Sequence, residues 1–138
     1  MAVTLDMSRA YDRVEWIFVE NMMRSLGFPD GWIRLVLHCI SSVSYSFVLN
    51  GEICGSLKPS RGLRQGDPIS SFLFLLCAEG FTRLIDQAVI AGELQGFRCS
   101  YDGPIISHLL FADDSLLFAK ATVSNCVVIK HKIGRAHV

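Results

Sequence analysis

A chain of 138 residues is long enough for one modest domain with a true core. Its hydrophobic content of 51% is high for a free-standing domain and reads as a buried core cut from a larger protein, with former interfaces exposed. Thirteen basic and thirteen acidic residues cancel, so net charge argues neither for nor against nucleic acid. The longest unbroken apolar run, FLFLLCA at 72–78, falls well short of the ~20 residues that cross a bilayer, so no membrane partner is expected. The N-terminus shows no basic leader followed by an apolar stretch, and an intracellular protein is expected. Five cysteines (39, 54, 77, 99, 126) are odd in number, widely spaced and without a C-x-x-C pair. They read as reduced thiols rather than a disulfide framework or zinc site.

In chain order, AVTLD (2–6) reads as a short buried strand ending in a carboxylate. Residues 13–28 carry apolar side chains at 14, 17, 18, 22 and 26, a helical stripe stopped by Gly27 and Pro29. A second stripe covers 30–40, with Asp30 as its N-cap. Residues 44–60 read as a hairpin turning at Asn50-Gly51, a type I′ pair. RGLRQGDPISS is a loop by its Gly and Pro content, and Lys58, Arg61 and Arg64 form a local basic cluster with no acid among them. Asp67 and Pro68 suit the cap and first turn of a helix over 68–90. Its FLFLLCA portion is apolar all round, as expected of a central helix. Two further strands flank an Asp102-Gly103 turn, and 115–120 is the returning strand of a last hairpin. The order βαα-ββ-α-ββ-β is an α+β layout, helices packed on an antiparallel sheet.

HLLFADDSLLF (108–118) is the anomaly. Two like charges sit side by side between two apolar runs, where ionised carboxylates are costly. The near-identical runs place Asp113-Asp114 at the tip of a hairpin with buried legs. A plain turn would use Asn-Gly or Asp-Gly, as this chain does elsewhere. A divalent cation supplies a reason for Asp-Asp. Hard ions such as Mg²⁺ prefer oxygen ligands, and a two-metal centre needs about three carboxylates. Asp6, closing the first strand, is the third candidate, although alone it is an ordinary strand-ending residue.

AVTLDMSRAYDRVEW, GLRQGDPISSFLFLLCAEGFTRLI and HLLFADDSLLF resemble motifs A, B and C of reverse transcriptases, in the expected order and over residues 1 to about 130. The likeness is strongest to the polymerase of plant non-long-terminal-repeat retrotransposons, with a group II intron maturase as a related alternative parent. The resemblance implies a palm-like antiparallel sheet with helices behind it. It implies three catalytic, metal-binding aspartates: Asp6 bridging two Mg²⁺ ions (Mn²⁺ as a substitute), Asp113 as a direct ligand and Asp114 more peripheral. The backbone carbonyl of Met7 matches a further ligand. Tyr11 matches the aromatic gate that rejects ribonucleotides, and Gln65-Gly66 the element under the incoming nucleotide. Arg61 and Arg64 match phosphate contacts, and Asp12 is read as structural. The implied substrates are an RNA or DNA template, a paired primer and deoxynucleoside triphosphates, with the nucleus as the parent element's place of work.

The same resemblance implies that the fingers and thumb of a parent polyprotein are missing. Residues 131–138 are expected to be a non-native or truncated tail, because IGRAHV matches the translation of a common sequencing adapter. An isolated palm would then carry the carboxylates without the means to hold its substrates. Two other readings stand beside the polymerase: a decayed or co-opted non-catalytic fragment, and an unrelated Mg²⁺ phosphotransferase. The last would want a second Asp two positions after the first, where this chain has Ser8.

Overall fold

A computed structural model describes residues 1–136. The chain divides into two compact units, Met1–Ser8 with Ala78 onward, and Arg9–Cys77.

In the first unit, β1 (Ala2–Asp6), β6 (His108–Phe111) and β7 (Asp114–Phe118) form an antiparallel sheet in the order β1-β7-β6. The exposure of β1 alternates, so the strand is half-buried rather than buried as its apolar reading implied. Val3 and Leu5 turn toward a core of Ile85, Ala88, Leu94, Leu117, Ala119 and Ile129, while Ala2, Thr4 and Asp6 face solvent. This one-sided burial is what an antiparallel sheet with a single covered face produces. The chain start is tied to the end of β7: the Met1 amino group donates to the Ala119 carbonyl at 2.6 Å, and the Ala119 N–H returns to Met1 O at 3.0 Å.

Helix α5 (Val123–Ala136) occupies a stretch to which sequence reading assigned no element. Thr122 caps it, its hydroxyl accepting from the Asn125 N–H at 3.3 Å. Val128, Ile129 and Ile133 lay one face of the helix on the core. Residues 131–136 of the expected tail thus continue α5, whereas 137 and 138 lie outside the described residues. The short strands β4 (Phe97–Arg98) and β5 (Ile105–Ile106) pair across a six-residue loop. There the Gly103 N–H closes on Ser100 O, so Asp102-Gly103 ends a wider turn and is not a two-residue hairpin loop.

The second unit holds α1 (Ala10–Arg13), α2 (Trp16–Ser25), α3 (Asp30–Ser41), the hairpin β2 (Tyr45–Leu49)–β3 (Glu52–Leu57) and the first ten residues of α4 (Pro68–Ile90). The helix expected over 13–28 is broken at its start, because Val14 is extended (φ −64°, ψ 118°). Its end is a Schellman close: the Phe28 N–H reaches Met23 O, the Gly27 N–H reaches Arg24 O, and Gly27 takes φ +81°. Pro29, not Asp30, is the N-cap of α3. The Pro29 carbonyl accepts from Trp32 and Ile33, and the Asp30 carboxylate pairs with Arg24.

Asp67 caps α4 as expected, Oδ1 accepting from the Ile69 N–H at 3.1 Å. The helix is not buried all round: Phe72 and Leu75 are exposed, while Leu73, Phe74, Ile85 and Ala88 are buried. At 23 residues it is long and apolar enough, by length and composition, to cross a membrane. A seven-residue run understated it, because hydropathy sums over the whole helix. Length and composition do not separate such a helix from one that lies in a protein core.

Candidate active site

The acidic residues meet through strand register. β1 and β7 pair with Asp6 directly opposite Asp114, and β6 and β7 pair with Phe111 opposite Asp114. Side chains directly opposite in an antiparallel pair share a face, with Cβ atoms ~4.5–5.5 Å apart. Asp6, Asp114 and Phe111 therefore form one cross-strand row on the solvent face, and all three are exposed. The opposite face carries Leu5, Ser115 and Leu110, with Ser115 buried.

The hairpin tip differs from expectation by one residue. The two-residue loop is Ala112-Asp113, and Asp114 already belongs to β7. Ala112 takes φ +52°, a left-handed conformation that costs a residue with a Cβ about 1–2 kcal/mol. Such strain beside a functional group is a recurrent feature of sites. Asp113 is exposed at the tip, adjacent to the Asp6–Asp114 row. Asp114, assigned the more peripheral role by resemblance, is the acid that the register sets against Asp6. The Met7 carbonyl follows the end of β1, and no loop hydrogen bond among the described residues engages it.

Two exposed carboxylates opposite each other repel, and none of the ion pairs among the described residues involves Asp6, Asp113 or Asp114. No three His, Cys, Asp or Glu side chains among the described residues are drawn together as a metal-holding group. The donor chemistry, carboxylate oxygens without an ion-pair partner among the described residues and beside the Met7 carbonyl, is of the kind hard divalent cations prefer.

The remaining candidates lie in the second unit, organised by one loop. The Gly62 N–H donates to Val14 O and the Leu63 N–H to Tyr11 O, both at 2.8 Å. The Trp16 indole N–H donates to Gly62 O, also at 2.8 Å. Gly62 has φ +92°, and a Cβ there would stand 3.1 Å from Asp12 O and 3.2 Å from Asp12 Cα, so glycine is required by close approach as well as by conformation. The structural role read for Asp12 lies in this backbone contact. Tyr11 stacks on Phe74, with centroids 4.9 Å apart and rings 11° from parallel, and is half-buried. One ring face is thus fixed by packing.

Arg61 is held by Glu15 at 3.1 Å, an exposed pair. Arg64 and Gln65 are exposed, with no side-chain hydrogen bond among the described residues. Gly66 takes φ +85° with open space where a Cβ would stand. Gly62, Glu15, Trp16, Phe74 and Phe111 were not picked out by sequence reasoning. For Gly62 a signal existed, since it stands at the head of the GLRQG loop. The cysteines are free, and burial pushes the Cys77 thiol up to about 12, leaving it inert at neutral pH.

The profile of the reverse transcriptase (RNA-dependent DNA polymerase) family matches residues 1–134. The chain belongs to the reverse transcriptase family. It is 52% identical over 69 residues to an uncharacterized mitochondrial protein of Arabidopsis thaliana, covering 50% of this chain and 57% of that one. It is 31% identical over 116 residues to a retrovirus-related Pol polyprotein from a type-1 R2 retrotransposable element of Popillia japonica, covering 83% of this chain and 18% of the polyprotein. A type-2 R2 Pol polyprotein of Drosophila melanogaster is 27% identical over 125 residues, 91% of this chain and 11% of its own length. This reverse transcriptase segment therefore spans just over half of the plant relative and less than a fifth of either polyprotein.

Proposed function

We propose that this chain is the catalytic part of a reverse transcriptase palm, acting in nucleotidyl transfer from a deoxynucleoside triphosphate to a primer 3′-hydroxyl. The observation that carries this reading is the cross-strand pairing of Asp6 with Asp114, with Asp113 on the adjoining turn. Asp6, Asp113, Asp114 and the Met7 carbonyl would hold two Mg²⁺ ions. When bound, the metal lowers the pKa of the primer hydroxyl and neutralises charge on the triphosphate.

The protein's own contribution is positioning. Asp6 and Asp114 present oxygens from two hydrogen-bonded strands, a base that cannot spread. The Tyr11 ring, braced on Phe74, blocks a ribose 2′-hydroxyl by bulk. Gln65-Gly66 lies under the nucleotide, and the open Cα of Gly66 permits backbone approach. Arg64 contacts phosphate, and Arg61 does so after exchanging its Glu15 partner. In this reading the template and primer are gripped by segments of the parent polyprotein beyond this palm, and the parent element works in the nucleus.

Calorimetric titration with Mn²⁺ tests the metal reading. Binding by wild type that weakens at least ~10-fold in Asp6→Asn and in Asp113→Asn is expected. Equal, negligible heats for all three proteins would favour a non-catalytic fragment. Primer extension with Mg²⁺ tests the dependence on other segments. No extended product is expected from this chain alone, and long products would refute that dependence.

A further inference from the structure

β6 carries a polar side chain where its sheet calls for an apolar one. Exposure along the strand alternates, half-buried at His108 and Leu110 and exposed at Leu109 and Phe111. The register sets Leu110 against buried Ser115, and His108 against Leu117, which has no exposed surface. An imidazole on the covered face needs its ring nitrogens satisfied. Both are: Nδ1 lies 2.9 Å from the Ser107 hydroxyl, and Nε2 lies 3.2 Å from the Thr82 hydroxyl on α4. A hydroxyl can donate or accept, so both bonds hold in either neutral tautomer. Thr82 stands three residues before Ile85, on the stripe of α4 that enters the core. Ser107 is buried, and its carbonyl accepts from the Phe118 N–H at 2.8 Å. The start of β6 is therefore tied to β7 by backbone and to α4 by a side chain.

Such a tie does what apolar packing does not. Burial is non-directional, whereas a hydrogen bond fixes distance and angle. β6 has most need of it, because it is an outer strand paired on one side only, with β7. Among the described residues, no other side-chain hydrogen bond joins the three-stranded sheet to α4. The acids depend unequally on β6. Asp6 and Asp114 are held by the β1–β7 ladder, whereas Asp113 sits in the loop whose other end is β6.

We propose that His108 is a positioning residue for Asp113, an inference that rests on the metal reading of these acids. Clamped between Ser107 and Thr82, it fixes β6 on α4 and so sets where the Ala112-Asp113 turn stands beside the Asp6–Asp114 row. It acts through the strand, which runs ~10 Å from His108 to Phe111 at ~3.3 Å per residue.

Amide exchange in chelator and calorimetric Mn²⁺ titration of the full chain test it. His108→Leu keeps a side chain on the covered face without the hydrogen bonds. Thr82→Val removes the hydroxyl from the helix side and leaves the sheet untouched. Each should speed exchange in β6 at least about fivefold, leave β1 unchanged, and raise the Mn²⁺ dissociation constant about tenfold. In an Asp113→Asn background neither should weaken Mn²⁺ binding further, because the ligand they position is gone. His108→Gln, which keeps a donor and an acceptor, should recover most of the affinity. Normal Mn²⁺ binding by wild type, with both variants matching it in affinity and exchange, would overturn the clamp alone. Equal weakening with and without Asp113 would also overturn it, as the mark of a general effect on the fold. No Mn²⁺ binding by wild type would instead remove the metal reading and the clamp's role together.

Discussion

Two hairpins of this reverse transcriptase segment turn in opposite ways. β2–β3 closes through Asn50-Gly51, both residues at positive φ (52° and 88°), as a type I′ turn demands. β6–β7 closes through Ala112-Asp113, with an alanine in the left-handed region and an acid where glycine would relax the chain. The first hairpin follows local chemistry and has both faces in solvent. The second departs from it, and its β7 strand is anchored on the core through Ser115 and Leu117. Burial is what lets the second hairpin carry strain and like charges: the packing of one face holds the tip that the other face uses.

Substitutions should separate the two cases. The largest effect is expected beneath the acidic hairpin, where Leu117 is 0% exposed. Leu117→Ala should cost about 2–5 kcal/mol in chemical denaturation, whereas Ile53→Ala on the other hairpin should stay within about 0.5 kcal/mol. Next comes the turn that obeys its rule: Gly51→Ala should cost about 1–2 kcal/mol, because an L residue is forced to positive φ. Asp6→Asn should stabilise the metal-free chain by about 0.2–1 kcal/mol, measured in chelator, by removing cross-strand repulsion from Asp114. Divalent cation added back should raise the melting temperature of wild type more than that of the variant. The smallest effect is Ala112→Gly, a gain of about 0.5 kcal/mol once relief of strain is set against the greater freedom of unfolded glycine. Loss of stability there would mean that the alanine methyl packs usefully and that the turn is not strained.

Much of this was legible residue by residue. Asn50-Gly51 named its own turn, Asp67 its own cap, and the apolar runs their strands though not their one-sided burial, because each depends on neighbours within a few positions. The break at Val14 was not legible, since it comes from the Gly62 loop hydrogen-bonding to Tyr11 and Val14 from far along the chain. α5 was passed over although Thr122 before an apolar stripe at 128, 129 and 133 was available. The final residues continue no local pattern, and the cap and the period gain meaning only when the core completes them. The six-residue loop between β4 and β5 defeated the Asp-Gly rule because Gly103 sits one position too late, at the last residue of its turn.

The doublet at 113–114 shows the division most sharply. The sequence by itself determined the family, through three motifs in order, and determined that Asp6 and the doublet needed a common explanation. Only the tertiary structure decided which acid faces Asp6. A hairpin loop one residue earlier moves Asp114 into the strand, and a one-residue shift in register moves side chains to the other face. That register goes with burial of Leu5 and Leu117 in a core shared with Ile85 and Ala88 of α4 and Ile129 of α5, residues far along the chain from β1, a constraint no local pattern carries.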